Sequence, residues 1–219
     1  MRWHTVLFDL DGTLTDPKEG ITRAFAYALR HYGVDADPDG LGCVIGPPLK
    51  DSFMELYGFS AQQAVEAIGK YREYYGSRGW AENVPYPGIG RMLAGLNAAG
   101  LTLAVATSKP EEFSVRILEH FGLAEHFRVI CGAPMDTSDR GRKEYVVADA
   151  LARCGCPDGE GAVMVGDRSH DVAGAHRNGL PAVGVLYGYG SRAELESAGA
   201  EFITQSVQSL GALLTDRGS

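Results

Sequence analysis

The chain has 219 residues, of which 45% are hydrophobic and 22% charged, with a formal net charge of -8. These are the proportions of a globular protein with one large domain, or a core domain plus a small insertion. The acidic balance, with no Lys/Arg block against it, excludes a general nucleic-acid binder, which needs a basic surface to displace counterions.

The first element is a short apolar strand, Val6-Leu7-Phe8, that ends abruptly in Asp9-Leu-Asp11-Gly-Thr13. Residues 18 to 32, KEGITRAFAYALRHY, place Ile21, Ala24, Phe25, Ala28 and Leu29 on one face of a helix. Residues 33 to 48 hold turn formers and end in Gly46-Pro47-Pro48, so they read as an irregular connection. Ser60 followed by Gln63 has the form of a capping box and opens a helix over 61 to 75. The aromatic stripe Tyr71, Tyr74 and Tyr75 on that helix reads as packing, with stacking on a substrate nucleobase as the alternative. Strand signals are sparse between 17 and 84.

From Tyr86 onward the pattern changes. Pro87-Gly88 introduces a helix that Gly100 ends, and LTLAVAT (101 to 107) is a strand. Pro110 with Glu111 and Glu112 suits a helix first turn, where proline lacks no needed N–H and acids meet the positive end of the dipole. FRVICG is a strand, KEYVVADALARCG a helix, GAVMVGD a strand, HDVAGAHRNG a helix and PAVGVLY a strand. Ser191 with Glu194 caps the next helix, and EFITQ and a last helix close the chain. Alternating strands and helices predict a parallel sheet covered on both faces. The fold class is therefore α/β: a Rossmann-like parallel sheet core, residues 1–16 and 85–219, with a small all-helical domain, 17–84, inserted after the first strand.

Ligands of open α/β sheets bind at the carboxyl ends of the strands. There this sequence places Asp9, Asp11 and Thr13 after the first strand, Thr107-Ser108-Lys109 after the next, and Gly166-Asp167-Arg168 after a third. Asp171 lies in the first turn of the following helix, and Lys143 starts a helix after a polar loop. DLDGTLTD closely resembles the first motif of the haloacid dehalogenase (HAD) superfamily, whose members are mostly phosphatases. VATSK resembles the second motif, Lys143 the third motif's lysine, and GDRSHD the acidic pair of the fourth. The inserted helices resemble the cap called C1. Within the superfamily, GPPLKDSF, VATSKPEEF, GDRSHDVAGA and YGYGS resemble the phosphoglycolate phosphatase-like branch, some of whose members are described as 5'-nucleotidases.

The resemblance implies a phosphoric monoester hydrolase. Phosphoryl transfer needs an in-line nucleophile, charge neutralisation on the equatorial oxygens and protonation of the leaving group. By resemblance Asp9 is the nucleophile that forms an aspartyl-phosphate, and Asp11 is the general acid and then base. Mg2+ is the implied cofactor, held by Asp9, the Asp11 carbonyl and Asp167, with Asp171 a further ligand or a partner behind them. Thr107, with Ser108 as the fallback, would hydrogen-bond a phosphoryl oxygen, and Lys143 would offset the charge of nucleophile and phosphate. Gly12 and Thr13 would lie against the phosphate, and Lys50 is a candidate cap contact to a substrate's anionic end. Thr15 and Asp16 are the exit to the cap, whose hinges fall near 15 to 17 and 84 to 87.

The expected substrate is a small phosphomonoester, phosphoglycolate-like or nucleoside monophosphate-like. A sugar phosphomutase shares the same motifs, and a non-enzymatic phospho-aspartate module is the remaining alternative. No P-loop is present, and Gly88-Ile-Gly90 misses the dinucleotide spacing. The six histidines show no zinc-ligand spacing and read as surface or capping residues. Cys43, Cys131, Cys154 and Cys156 fit no common zinc pattern, so reduced thiols in a cytoplasmic protein are expected. No apolar run suggests a membrane span or a signal peptide. The expected oligomeric state is a monomer or homodimer.

Overall fold

A computed structural model describes residues 2–136 and 138–216. It divides the chain into two compact units, Met1–Thr15 with Pro85–Ser219, and Asp16–Val84. The larger unit is built on six parallel strands: β1 (Thr5–Phe8), β4 (Thr102–Pro110), β5 (Val129–Ala133), β6 (Ala162–Gly166), β7 (Ala182–Val185) and β8 (Phe202–Thr204). Their order is β5-β4-β1-β6-β7-β8. The remaining strands, β2 (Thr15–Asp16) and β3 (Val84–Pro85), are the two segments where the chain passes between units, and they pair with each other.

The sheet is apolar along its strands, as burial of both faces requires. Every residue of β1 and of β6 is buried. Leu7, Ala104, Ala106 and Met164 form one core cluster with Val147 and Leu151 of α6 (Lys143–Cys154) and Val172 and Ala175 of α7 (Ser169–Arg177). The alternate residues Val6, Phe8, Leu103, Val105, Val163 and Val165 are equally buried and point to the other face. On this sheet α4 (Ile89–Ala98) and α5 (Glu111–His120) also pack against β4, and α9 (Val207–Thr215) against β8. α8 (Arg192–Ala198) begins as its sequence predicts, with the Ser191 hydroxyl accepting the Glu194 N–H at 3.1 Å.

The smaller unit is built on α1 (Lys18–His31), α2 (Leu49–Tyr57) and α3 (Ala61–Tyr74), with short helical turns at Pro38–Gly40, Gly42–Val44 and Tyr75–Gly79. Phe25 and Phe53 stack at its centre with ring centroids 4.1 Å apart. The capping box at α3 forms as the sequence suggests: Ser60 Oγ accepts the Gln63 N–H at 3.3 Å, and Gln63 Oε1 accepts the Ser60 N–H at 3.0 Å. Tyr71 and Tyr75 are buried and stack on each other, which is a packing role. Helix α2 has no counterpart in the sequence reading, which gave no element between 48 and 60. Pro48 occupies its N-cap, and Gly58 at φ 67° ends it. Its nine residues are too short for the helical period to stand out.

Among the described residues no helix is long and apolar enough to cross a membrane. The four cysteines are free. Cys131 is fully buried, and burial pushes its thiol up to about 12, with Arg153 opposing the shift and Asp149 adding to it. A thiol with that value is roughly one part in 10^4 thiolate at pH 8. Exposed Cys43 will therefore react with an aromatic disulfide reagent at pH 8, whereas Cys131 will react only after denaturation. Mass mapping of the first labelled residue checks this, and early labelling of Cys131 would contradict it.

Candidate active site

The register of the sheet assembles the site. β1 lies between β4 and β6, and Phe8 stands opposite both Val105 and Val165. One step further along each strand are Asp9, Ala106 and Gly166, and one more reaches Thr107 and Asp167. The ends of three parallel strands thus deliver their polar residues to one edge. Asp9 still belongs to the sheet, since its N–H donates to the Val165 carbonyl at 2.9 Å. The chain then turns back tightly, with the Gly12 N–H donating to the Thr15 carbonyl at 2.8 Å and the Leu14 N–H to the Leu10 carbonyl at 2.9 Å. Gly12 sits at φ +84°, and a Cβ there would collide with the Asp167 carboxylate. Both facts call for glycine.

Lys143, the first residue of α6, is buried and reaches across the sheet edge. Its Nζ donates to Asp9 Oδ1 at 2.7 Å and to the Ala106 carbonyl at 3.1 Å, and lies 2.7 Å from Asp171 Oδ1. Asp171 Oδ2 accepts the Arg168 N–H at 3.0 Å. Gly174 clears the path of the lysine stem, because a Cβ there would strike Lys143 Cγ. A second buried ion pair is independent of the first: Lys109 Nζ lies 2.6 Å from Asp11 Oδ2. Asp167 Oδ2 accepts the Tyr189 N–H at 2.8 Å, and Thr13 Oγ1 approaches Asp167 Oδ1 at 3.4 Å.

The electrostatics follow from this packing. Burial raises Asp9 above the ordinary carboxylate value, although Lys143 opposes it. Burial, with Asp171 and Asp9 nearby, holds Asp167 well above that value. Burial would raise Asp171 too, but the Lys143 ammonium overrides it and leaves Asp171 below. Burial alone would lower Lys143, and the two carboxylates more than reverse it. The balance of charge is uneven: four carboxylates, Asp9, Asp11, Asp167 and Asp171, face the two ammonium groups of Lys109 and Lys143. Asp11 Oδ1 is buried without a hydrogen-bond partner. Asp9, His170 and Asp171 each offer one ligand atom, and these atoms lie within 4.8 Å of one another. Buried, mostly oxygen donors in excess negative charge fit a hard divalent cation.

Asp9, Asp11, Gly12, Thr13, Thr107, Lys143, Asp167 and Asp171 are thus brought to one edge of the larger unit. Thr107 is buried, its hydroxyl helps hold the Asp9 charge, and its Oγ1 accepts the Lys109 N–H at 3.3 Å. Ser108 is only half-buried. Lys50 belongs to the other unit, in the first turn of α2. The sequence reading missed Lys109 as a partner of Asp11. It ended the strand at 107, whereas β4 continues to Pro110, and the two-residue period of a strand would have placed Thr107 and Lys109 on one face. His170 reads in the sequence as a surface or capping residue. Its place beside Asp171 was legible only as sequence adjacency.

Residues 6–185 match the model of the haloacid dehalogenase-like hydrolases. A 5'-nucleotidase of Pseudomonas aeruginosa is 45% identical over 199 residues, which span 90% of this chain and 89% of that protein. Tyrosine-protein kinase PtkA of Mycobacterium tuberculosis is 46% identical over 203 residues, 92% of this chain and 68% of its own length. The crystal structure of a predicted phosphatase from Clostridium acetobutylicum matches with a TM-score of 0.93 at 45% identity, covering 97% of this chain and 98% of that one. The chain belongs to the haloacid dehalogenase-like hydrolase family, and within it to the phosphatases, the phosphoric monoester hydrolases.

Proposed function

We propose that the protein is a Mg2+-dependent phosphatase of a small phosphorylated metabolite, working through an aspartyl-phosphate on Asp9. The observation that carries this reading is the pair of strand-end acids, Asp9 and Asp11, each matched to its own buried lysine. A plain turn needs neither lysine. In the first step an Asp9 carboxylate oxygen bonds to phosphorus while the bond from phosphorus to the leaving oxygen breaks, and Asp11 passes its proton to that oxygen. In the second, water attacks phosphorus, its proton goes to Asp11, and the bond to Asp9 breaks to release inorganic phosphate. Lys109 Nζ lies 2.6 Å from Asp11 Oδ2. Donation in the first step requires Lys109 to leave it. Lys143 offsets the charge that Asp9 and the phosphoryl group bring together, and the Thr107 hydroxyl and the loop at Gly12 and Thr13 orient the phosphoryl oxygens.

A bound Mg2+, held by Asp9, the Asp11 carbonyl and Asp167, would supply the positive charge that the four carboxylates lack. Asp171 anchors Lys143 behind this set. The helical unit, 17–84, is the cap that selects the substrate, with Lys50 contacting its anionic end. The nucleotidase named above supports a nucleoside monophosphate over phosphoglycolate or a sugar phosphate. Four free cysteines support a cytoplasmic place for the protein.

The test is a panel of phosphomonoesters compared by kcat/KM with Mg2+ present. Phosphate release from 5'-nucleoside monophosphates, without any bisphosphate activator, is expected to exceed that from phosphoglycolate and hexose phosphates. Chelation should abolish it reversibly. Turnover that needs a bisphosphate would replace the hydrolase with a mutase, and undiminished turnover in chelator would remove the cation.

A further inference from the structure

Asp167 is held by a segment that plays no part in the chemistry above. Residues 186–190, Leu-Tyr-Gly-Tyr-Gly, run from the end of β7 to the cap of α8. The segment is fixed at both ends. The Leu186 N–H donates to the Thr204 carbonyl at 2.9 Å, extending the pairing of β7 with β8. At the other end Ser191 caps α8, and the Glu194 carboxylate of that helix accepts the Arg168 Nε–H at 3.0 Å and the Ser169 N–H at 2.8 Å. Glu194 therefore grips the two residues that follow Asp167.

Between these anchors the backbone lies directly on the site. A Cβ on Gly188 would strike the Gly12 carbonyl and the Asp167 side chain, and one on Gly190 would strike the Asp167 carbonyl. Two glycines in three residues allow this approach. The Tyr189 N–H is the 2.8 Å donor to Asp167 Oδ2. The Tyr187 hydroxyl donates to the Thr13 carbonyl at 3.1 Å, and its ring meets Tyr86 edge to face at 5.0 Å. Burial pushes the Tyr187 phenol up, so the hydroxyl keeps its proton and remains a donor.

We propose that residues 186–190 are a positioning strap, tying the Asp9–Thr13 loop to Asp167 through Tyr187, Gly188 and Tyr189 so that their oxygens are preset for one divalent cation. The proposal rests on the cation reading of the previous section. It makes Tyr187 a positioning residue, since its hydroxyl touches the loop carbonyl and not the reacting atoms. Loss of such support behind a ligand typically weakens metal binding by about 10- to 100-fold.

The experiment is direct titration of the whole protein with Mn2+, followed by the electron paramagnetic resonance signal of the free ion, for wild type, Tyr187→Phe, Gly188→Ala and Asp167→Asn. Tyr187→Phe removes one hydroxyl and keeps the ring on Tyr86, so it should fold normally and weaken Mn2+ binding by about 10-fold. Its kcat should return to the wild-type value at high Mg2+ with KM for substrate unchanged, a rescue that general loosening of the fold would not show. Gly188→Ala should bind more weakly still. Wild-type Mn2+ affinity in folded Tyr187→Phe would overturn the strap while Asp167→Asn still loses the ion. Wild-type affinity in Asp167→Asn would overturn the cation reading, and the strap with it.

Discussion

Asp9→Asn will lower turnover of a generic aryl phosphate by on the order of 10^4-fold or more, without unfolding the protein. The amide matches the carboxylate in shape but is a far poorer nucleophile toward phosphorus. Burial already disfavours the Asp9 charge, so a neutral group at this position does not forfeit a solvated ion. Lys143 keeps Asp171 and the Ala106 carbonyl as partners, so the substitution leaves no ammonium stranded. The Val165 carbonyl keeps its bond to the backbone N–H of residue 9. The two readouts are therefore expected to separate, with activity lost and the thermal midpoint near that of the wild type. Acid quenching after mixing with radiolabelled substrate adds a third: label retained on wild-type chain and absent from the variant. Retained turnover would remove Asp9 from the role of nucleophile and leave the motif resemblance without its chemistry.

Much of this site was legible in the sequence because it lies where regular structure ends. Apolar strand runs announce their own ends, and the parallel register then brings Asp9, Thr107 and Asp167 together with no help from loops. Lys143 was legible as the start of a helix, but what it touches depends on the glycine at 174, and nothing in the local pattern of α7 announces that clearance. Lys109 was hidden by a strand that runs past its apolar portion. β4 shifts register between Ala106 and Pro110, so the polar residues there read as a loop although they still belong to the sheet. The strap was visible only as the letters YGYG. Two glycines in a short loop ordinarily signal a turn. Their use here is the close approach of backbone to Asp167, a contact across more than twenty residues that no local pattern records. Helix α2 was missed for a simpler reason, since proline-rich sequence before a nine-residue helix reads as more of the same loop.

Lys143→Met should cost about 3–5 kcal/mol of stability in the absence of divalent cation, as well as the activity. The methionine fills a similar volume but leaves Asp9 and Asp171 facing each other in a buried site, with no hydrogen-bonding cation between them. Two effects are mixed in that loss, and a second substitution separates them. Adding Asp171→Asn removes one of the stranded charges, so the double variant should regain much of the stability in urea denaturation. It should regain none of the turnover, because Asp9 would still lack the ammonium that offsets the incoming phosphate. If the double variant is as unstable as the single one, the two carboxylates are not coupled through Lys143. The pH dependence has a definite sign. Asp171 is held below its unfolded value, so its stabilising contribution is present above the ordinary carboxylate range and is lost as pH falls through its folded value. In the single variant the same carboxylates are uncompensated, and protonation relieves them. The stability difference between wild type and Lys143→Met is therefore expected to be widest near neutral pH and to close as the pH is lowered through the carboxylate range. A difference that stayed constant into acid would mean that Lys143 stabilises the fold by packing its stem against Gly174, not by its charge.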